Sequence, residues 1–280
     1  MRVTIFGASG LLGKALMSEW IGDGVTGLDS RDADIRDAQR VIKVAQETRP
    51  DWIVLAAAYT DVDGCETNPD LAFAVNRDGA VNVAAAAKQV GARLLFLSSD
   101  YVFDGNKTTP YETGDPRNPQ SVYGRTKAEA EIRLFKVLPD CCVARTSWLF
   151  GTGGKCFPDT ILKLAASREA LDVVDDQRGC PTFAIDLART IVRLCRTNAT
   201  GIVHVTNAGD CTWFEFAREI VRSAGIATPV RPVSTQRMAR PAARPAYSVL
   251  SAASLHALGI EMPSWPDALH RYLELRQLTR

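Results

Sequence analysis

Residues 121–129 read SVYGRTKAE, with a tyrosine and a lysine four positions apart where a helical pattern begins. Side chains at i and i+4 of a helix lie one above the other, so Tyr123 and Lys127 point the same way. A phenol of ordinary pKa about 10 is a poor acid or base near neutrality. A cation beside it stabilises the phenolate, and Lys127 is placed to be that cation and to donate to the ribose of a nicotinamide cofactor. Taken alone, the pair reads more readily as two residues on a helix surface. FLSSDYVFDG, upstream, adds a third group by setting Ser99, Asp100 and Tyr101 at the end of an apolar run. A hydroxyl at that point, on Ser99, can polarise a carbonyl.

A second constellation lies at the start of the chain. GASGLLG, with Gly7, Gly10 and Gly13, follows the apolar run RVTIF directly and opens a segment in which Leu12, Leu16 and Trp20 recur at helical spacing. Gly7 allows a sharp turn, Gly10 lets the backbone approach a diphosphate, and Gly13 lets the helix pack against the sheet. The helix N-terminus then offers free N–H groups and its dipole to the phosphates. Asp29, 19 residues beyond Gly10, is placed to accept from a ribose hydroxyl, which favours NADH. Arg31 could instead neutralise a 2′-phosphate and favour NADPH, and a turn aspartate beside a solvated arginine is the plainer alternative. Asp34 and Ile35 could cap and cover an adenine, and AAAYT (56–60) sets small side chains where a cofactor must lie against the backbone.

These groups require a scaffold that brings strand ends together. RVTIF (2–6), GVTGL (24–28), DWIVL (51–55), RLLFLS (93–98) and CCVAR (141–145) read as strands, with helical segments between them. The clearest helix runs from about Asp70 to Gln89 and is followed by Gly91. Such alternation implies an α/β fold, a doubly wound parallel sheet with right-handed crossovers. After Trp148 the pattern loosens into CFPDTILKLAASR, IDLARTIVRLC, IVHVTN and WFEFAREIVRSA, followed by a Pro/Arg-rich loop at 231–247. The expected organisation is a dinucleotide-binding domain over 1–150 and a smaller C-terminal α/β substrate lobe over 151–280, with allowance for the chain to cross between them.

Composition narrows the class. A chain of 280 residues, 46% of them hydrophobic, can bury a substantial core. Thirty-three basic against 32 acidic residues leave a charge of +1, without the basic field that collects nucleic acid. Seven cysteines, with neither a CxxC nor a His-rich cluster, suggest neither a disulfide framework nor a zinc site. No charged-then-apolar opening and no run of roughly 18 apolar residues is present, so the expectation is a soluble, unprocessed cytoplasmic protein without membrane contact.

Taken together, GASGLLG, AAAYTDVDGCE, FAVNRDGAVNVA, SSDYVFDG, YGRTKAEAE, RTSWLFG, DDQRGCPTFAIDLA and RPAYSVLS occur in an order and spacing that resemble the dTDP-4-dehydrorhamnose reductases. These are extended short-chain dehydrogenase/reductases of Rossmann type. The resemblance implies reduction of the 4-keto group of a nucleotide-linked 6-deoxy sugar by NADPH or NADH, with dTDP-4-dehydro-L-rhamnose as the leading substrate. It implies Ser99, Tyr123 and Lys127 as the catalytic set. Gly10, Leu11, Leu12, Asp34, Ile35, Ala58, Tyr59 and Thr60 would line the cofactor. Thr60, Val62, Asp100, Tyr101 and Trp148 would lie near the sugar, although a tryptophan after a strand is more often simple core. Magnesium and a homodimer enter through the same resemblance, with no acidic cluster in the sequence to hold the metal. Tyr247 departs from the family's usual asparagine, Arg31 and Arg36 stand among aspartates, and Arg240 and Arg244 either reach the substrate diphosphate or form a solvated loop. The competing readings are a reductase of another 4-keto nucleotide sugar and a non-catalytic NADP-binding subunit resembling methionine adenosyltransferase β.

Overall fold

The period-two side-chain alternation of the first strand sets the layering. In β1 (Arg2–Phe6), Val3 and Ile5 enter one apolar core and Phe6 enters the other. The structure, a computed structural model, describes residues 1–238 and 240–278. β1 pairs in parallel with β2 (Gly24–Leu28) and with β3 (Trp52–Leu55). Beyond β3 lie β4 (Arg93–Ser99), β5 (Cys142–Thr146) and β6 (Gly201–His204), all parallel. The order across the sheet is β2-β1-β3-β4-β5-β6, so the winding reverses between β1 and β3, where ligands bind in open sheets of this kind.

Helices cover both faces. On one side α1 (Leu11–Glu19) packs against α8 (Ala184–Arg196), burying Leu12 and Leu16 with Leu187 and Ile191. On the other side α2 (Ala38–Thr48), α5 (Gly79–Val90) and α6 (Val122–Val137) bury Val41, Val83, Ala87 and Leu134 against Phe6, Leu55 and Phe96. The predicted helix near 70–89 forms as three joined pieces: α4 (Pro69–Phe73), a π-helical stretch over Ala74–Asp78, and α5.

The segment IVHVTN, assigned from its pattern to the second lobe, contributes instead to the central sheet, where β6 extends the edge beside β5. Together with α8 it carries the chain back across the lobe division. The physical reason is α8: its apolar stripe is complementary to α1 and the sheet, not to the smaller core. That smaller core is built by α7 (Phe157–Ala165), α9 (Trp213–Ser223) and the C-terminal helix (Trp265–Leu278) around Phe150, Phe183, Phe216 and Tyr272. The seven cysteines are free and buried. Among the described residues no helix is long and apolar enough to cross a membrane.

Candidate active site

The Tyr–Lys helix is held against the end of β4 by its own first turn. Ser121 caps α6 by accepting from the Gly124 N–H at 3.1 Å, and Glu66 of the short helix α3 (Val62–Thr67) accepts from the Val122 N–H at 2.7 Å. Gly124 is packed so closely that a Cβ there would collide with the Tyr101 carbonyl oxygen. This close approach brings Tyr123 to Ser99, Asp100 and Tyr101. The rings of Tyr101 and Tyr123 meet edge to face at 5.6 Å.

Of the three residues predicted to react, Ser99 and Lys127 are buried and Tyr123 is half-buried. Ser99 donates to Asp100 Oδ1 at 2.9 Å, and its oxygen accepts from the Tyr101 N–H at 3.2 Å. Burial pushes the Asp100 carboxyl up to about 6, tempered by the hydroxyls of Ser248 and Ser99. Burial and then the Asp100 charge raise the Tyr123 phenol well above its ordinary value, while hydrogen bonding with Ser99 draws it partway back. Lys127 was expected to lower the pKa of Tyr123. Burial and the Asp100 charge set the direction of the phenol's shift, and the Lys127 ammonium lies 4.2 Å from the centroid of Phe96. Lys127 itself is only 2% exposed, and burial pulls its pKa down to about 7, with Glu131 acting in the opposite direction.

Glu131 continues the helix face one turn beyond Lys127, and pattern reading missed it. Its carboxylate accepts from Ser98 at 2.5 Å, from Arg117 at 2.5 Å, and from Arg145 Nε and Nη2 at 2.9 and 2.6 Å. Burial would raise its pKa, but the hydrogen bonds and charge of Arg145 hold it below the ordinary value. Arg145, fully buried, also donates to the Thr113 carbonyl and lies 3.4 Å from His204 Nε2. Burial, then the neighbouring Arg145, brings His204 down to about 4, so its ring is neutral near pH 7. The sequence signal that could have found Glu131 is its spacing: Tyr123, Lys127 and Glu131 form one i, i+4, i+8 stripe.

Part of the predicted cofactor set gathers at the reversal of winding. Gly7 has a φ of +90°, and a Cβ there would meet the backbone of Ala57; a Cβ at Gly13 would collide with the Gly7 carbonyl oxygen. Gly10 caps α1 without a side-chain hydrogen bond, and the first helical bond runs from Lys14 N–H to Gly10 O. The N–H groups of Leu11, Leu12 and Gly13 are thus the orphan donors of the helix start, a set that fits a diphosphate. Gly7, Asp29, Asp34, Ile35 and Ala58 line a common cavity of about 370 Å³, together with Arg36. Arg31 and Asp29 were weighed as alternatives for the ribose or its phosphate; they pair with each other at 2.6 Å. Arg31 hydrogen bonding holds the Asp29 carboxyl down at about 2. Asp34 is likewise paired with Arg36.

Tyr59 is fixed through its backbone, whose N–H and C=O bond the side chain of Asn76 at 2.7 and 3.0 Å. Asn76 also donates to Thr126, which ties the chain after β3 to α6. Thr60 is exposed on the following loop, and Val62 opens α3. Trp148 sits farther along, with a φ of +45° and one ring face stacked on Trp213 at 3.5 Å. Tyr247 bridges Arg178 across the C-terminal segment. Arg244 is committed to Asp63 through bonds of 2.9 and 2.8 Å, which binds the Pro/Arg loop to α3; Arg240 is exposed. Magnesium gains no support, since among the described residues no group of three or more His, Cys, Asp or Glu could hold a metal ion.

Comparison with known proteins gives a consistent result. Residues 1–278 match the family model described as RmlD substrate binding domain. A dTDP-4-dehydrorhamnose reductase of Streptomyces griseus is 42% identical over 96% of this chain and 91% of its own. A dTDP-4-keto-6-deoxy-D-glucose reductase of Streptomyces niveus is 39% identical over 96% of this chain and 95% of its own. Among solved structures, the dTDP-4-dehydrorhamnose reductase of Bacillus anthracis in complex with NADP superposes with a TM-score of 0.95. It is 40% identical, covering 97% of this chain and 98% of that one.

Proposed function

The chain belongs to the RmlD substrate binding domain family, and from that membership we propose that it is an oxidoreductase reducing the 4-keto group of a dTDP-linked 6-deoxy sugar, dTDP-4-dehydro-L-rhamnose first, with NADPH or NADH. The observation that supports the reading is the meeting of Ser99, Asp100 and Tyr101, at the end of β4, with Tyr123 at the start of α6, one turn before the buried Lys127. Bound NADPH or NADH supplies the hydride.

The chain's own residues do the rest. Gly7, Gly10 and Gly13 shape the turn that accepts the diphosphate, and the N–H groups of Leu11, Leu12 and Gly13 hold it. Asp29, Arg31, Asp34, Ile35, Ala58, Tyr59 and Thr60 line the adenosine side and the strand end. Ser99 hydrogen-bonds the substrate carbonyl oxygen and stabilises charge as it develops there. Tyr123 donates its phenolic proton to that oxygen. A pKa held high by burial keeps the phenol protonated near neutrality, which is the state a proton donor for reduction requires. Lys127 holds a ribose hydroxyl. Thr60, Val62, Asp100, Tyr101 and Trp148 form the sugar side in this reading, with the lobe after Trp148 supplying the nucleotide side.

The similarity to the Streptomyces niveus enzyme favours one alternative substrate, the D-configured 4-keto sugar named for that relative. The test offers both dTDP-4-dehydro-L-rhamnose and dTDP-4-keto-6-deoxy-D-glucose with NADPH and follows cofactor absorbance. Tyr123→Phe should bind NADPH normally and lose at least about a hundredfold in kcat. Turnover of Tyr123→Phe near the wild-type rate would overturn the mechanism, and a wild type inactive with both sugars would overturn the substrate class.

A further inference from the structure

We propose that Trp213 is a positioning residue for the substrate: with Gly179 it forms a slot that fixes the Trp148 indole, so that recognition of the sugar depends on a second-lobe ring acting only through its neighbour. This rests on the reading of Trp148 as a sugar contact.

The backbone at Trp148 sets the problem. The residue lies between β5 and the short strand Leu149–Phe150 with a φ of +45°, a left-handed conformation that a bulky L-residue adopts only where its surroundings impose it. Such conformations gather at ligand sites. Two hydrogen bonds hold the turn: the Thr182 N–H donates to the Trp148 carbonyl at 3.2 Å, and the Ser147 hydroxyl donates to the Cys180 carbonyl at 2.6 Å. Neither fixes the indole.

The aromatic stack does. Trp148 and Trp213 lie within 7° of parallel with ring centroids 3.5 Å apart, and Phe157 flanks Trp213 at 4.5 Å. Gly179 closes on the same indole, since a Cβ there would come within 2.6–2.9 Å of the Cε2, Nε1 and Cζ2 atoms of Trp148. The two walls belong to one unit. Gly179 pairs with Cys211, and Arg178 with Thr212, in an antiparallel two-stranded ribbon that runs directly into Trp213 at the start of α9. Thr212 and Glu215 cap that helix reciprocally, and Arg178 donates to Glu215 at 3.1 Å and to Asp210 at 2.6 Å. The slot is therefore as rigid as the ribbon that carries it. Core filling alone does not account for the arrangement. Phe150, Phe216 and Tyr272 are sealed in the smaller core, whereas Trp148, Trp213 and Phe157 stay partly exposed at its margin.

Trp213→Leu removes the aromatic wall, and Trp213→Phe keeps an aromatic face in its place. In the complete enzyme with NADPH, Trp213→Leu should raise KM for the keto sugar about tenfold, near the upper end of what an aromatic pair contributes, while kcat and NADPH affinity change by less than about threefold. Trp213→Phe should stay within about threefold of wild type in all three quantities. Circular dichroism reads the stack itself: wild type should show the exciton couplet of two stacked indoles and Trp213→Leu should lose it, and a wild type without the couplet overturns the proposal. Variants that melt earlier with KM unchanged would make Trp213 a core residue only and overturn it. Should Trp213→Leu fail to fold, Gly179→Ala crowds the indole from the other wall and must raise KM likewise; an unchanged KM there overturns the slot. Calorimetric binding of dTDP-L-rhamnose to the NADP+ complex separates this from failure of the reductase reading. Weaker binding to Trp213→Leu than to Trp213→Phe and wild type supports the positioning role even if neither keto sugar is turned over, whereas equal binding overturns it.

Discussion

Glu131→Gln tests whether the buried charge network on α6 supports both the fold and the proposed site. The substitution keeps the size of the side chain but removes the negative charge that four donor atoms converge on. Arg145, 0% exposed, would be left with the Thr113 carbonyl at 3.3 Å and the neutral His204 ring at 3.4 Å, neither of which carries a charge to oppose its own. Breaking one side of a buried ion pair costs about 3–5 kcal/mol. A folded chain of 280 residues has an unfolding entropy of about 0.6 kcal/mol/K, so the melting temperature should fall by about 5–9 °C at pH 7.

The pH dependence fixes the cause. Glu131 has a depressed pKa in the folded state, so its stabilisation is present above the unfolded value near 4.5 and is lost as pH falls through the lower folded value. Glutamine mimics the protonated acid, so the gap between wild type and variant must close as the pH is lowered below about 4.5. Calorimetry from pH 7 downward measures this. A Glu131→Gln protein melting within about 1 °C of wild type at pH 7, or a gap that persists into acid, would refute the assignment. The same variant withdraws the charge that supports the Lys127 ammonium, so NADPH affinity should weaken at pH 7 and recover on acidification.

Lys127→Met should weaken NADPH binding and abolish most turnover, yet melt higher than wild type at pH 7. The ammonium titrates near 7 when folded against 10.5 unfolded, so its burial costs several kcal/mol at and below pH 7, and that cost fades as pH rises to 10.5. The gap should close over the same interval, and a variant that melts lower at pH 7 would show the lysine to be a stabilising core group. Arg31→Ala should weaken NADPH more than NADH, because Arg31 is 87% exposed and free to leave Asp29 for a 2′-phosphate. Equal loss with both cofactors would remove it from that site.

Much of the sheet was legible because its strands are short apolar runs bounded by turns, and the glycine turn fell where a dinucleotide requires it. The ends of β3, β4 and β5 differ by single residues from the pattern reading. β6 was misplaced for a reason that local pattern does not contain. Gly201–His204 is an edge strand whose neighbour, β5, lies some sixty residues away in sequence, and only the packing of α8 on α1 brings it home. Tyr123, Lys127 and Ser99 could be found from type and spacing. Gly124 could not, because its importance lies in the distance between a helix and the Tyr101 carbonyl, a tertiary quantity. Asn76 was hidden in the same way, being a polar residue in a helical run whose partners are the backbone of Tyr59 and the side chain of Thr126.

The electrostatics of the site were the least legible, and they bear on the direction of the chemistry. From sequence, a lysine one turn from a tyrosine argues for a lowered phenol pKa, as oxidation of an alcohol would need. In the folded protein, burial acts on both groups at once, raising the phenol and lowering the ammonium, and the nearby Asp100 carboxylate adds to the first effect. The resting cluster therefore holds its proton on Tyr123. That arrangement suits a proton donor to a carbonyl oxygen, and it leaves the lysine's charge sensitive to Glu131, the one carboxylate on its own helix stripe. A charge placed by helix periodicity is thus only a candidate; its sign and strength follow from what the other strands bury around it.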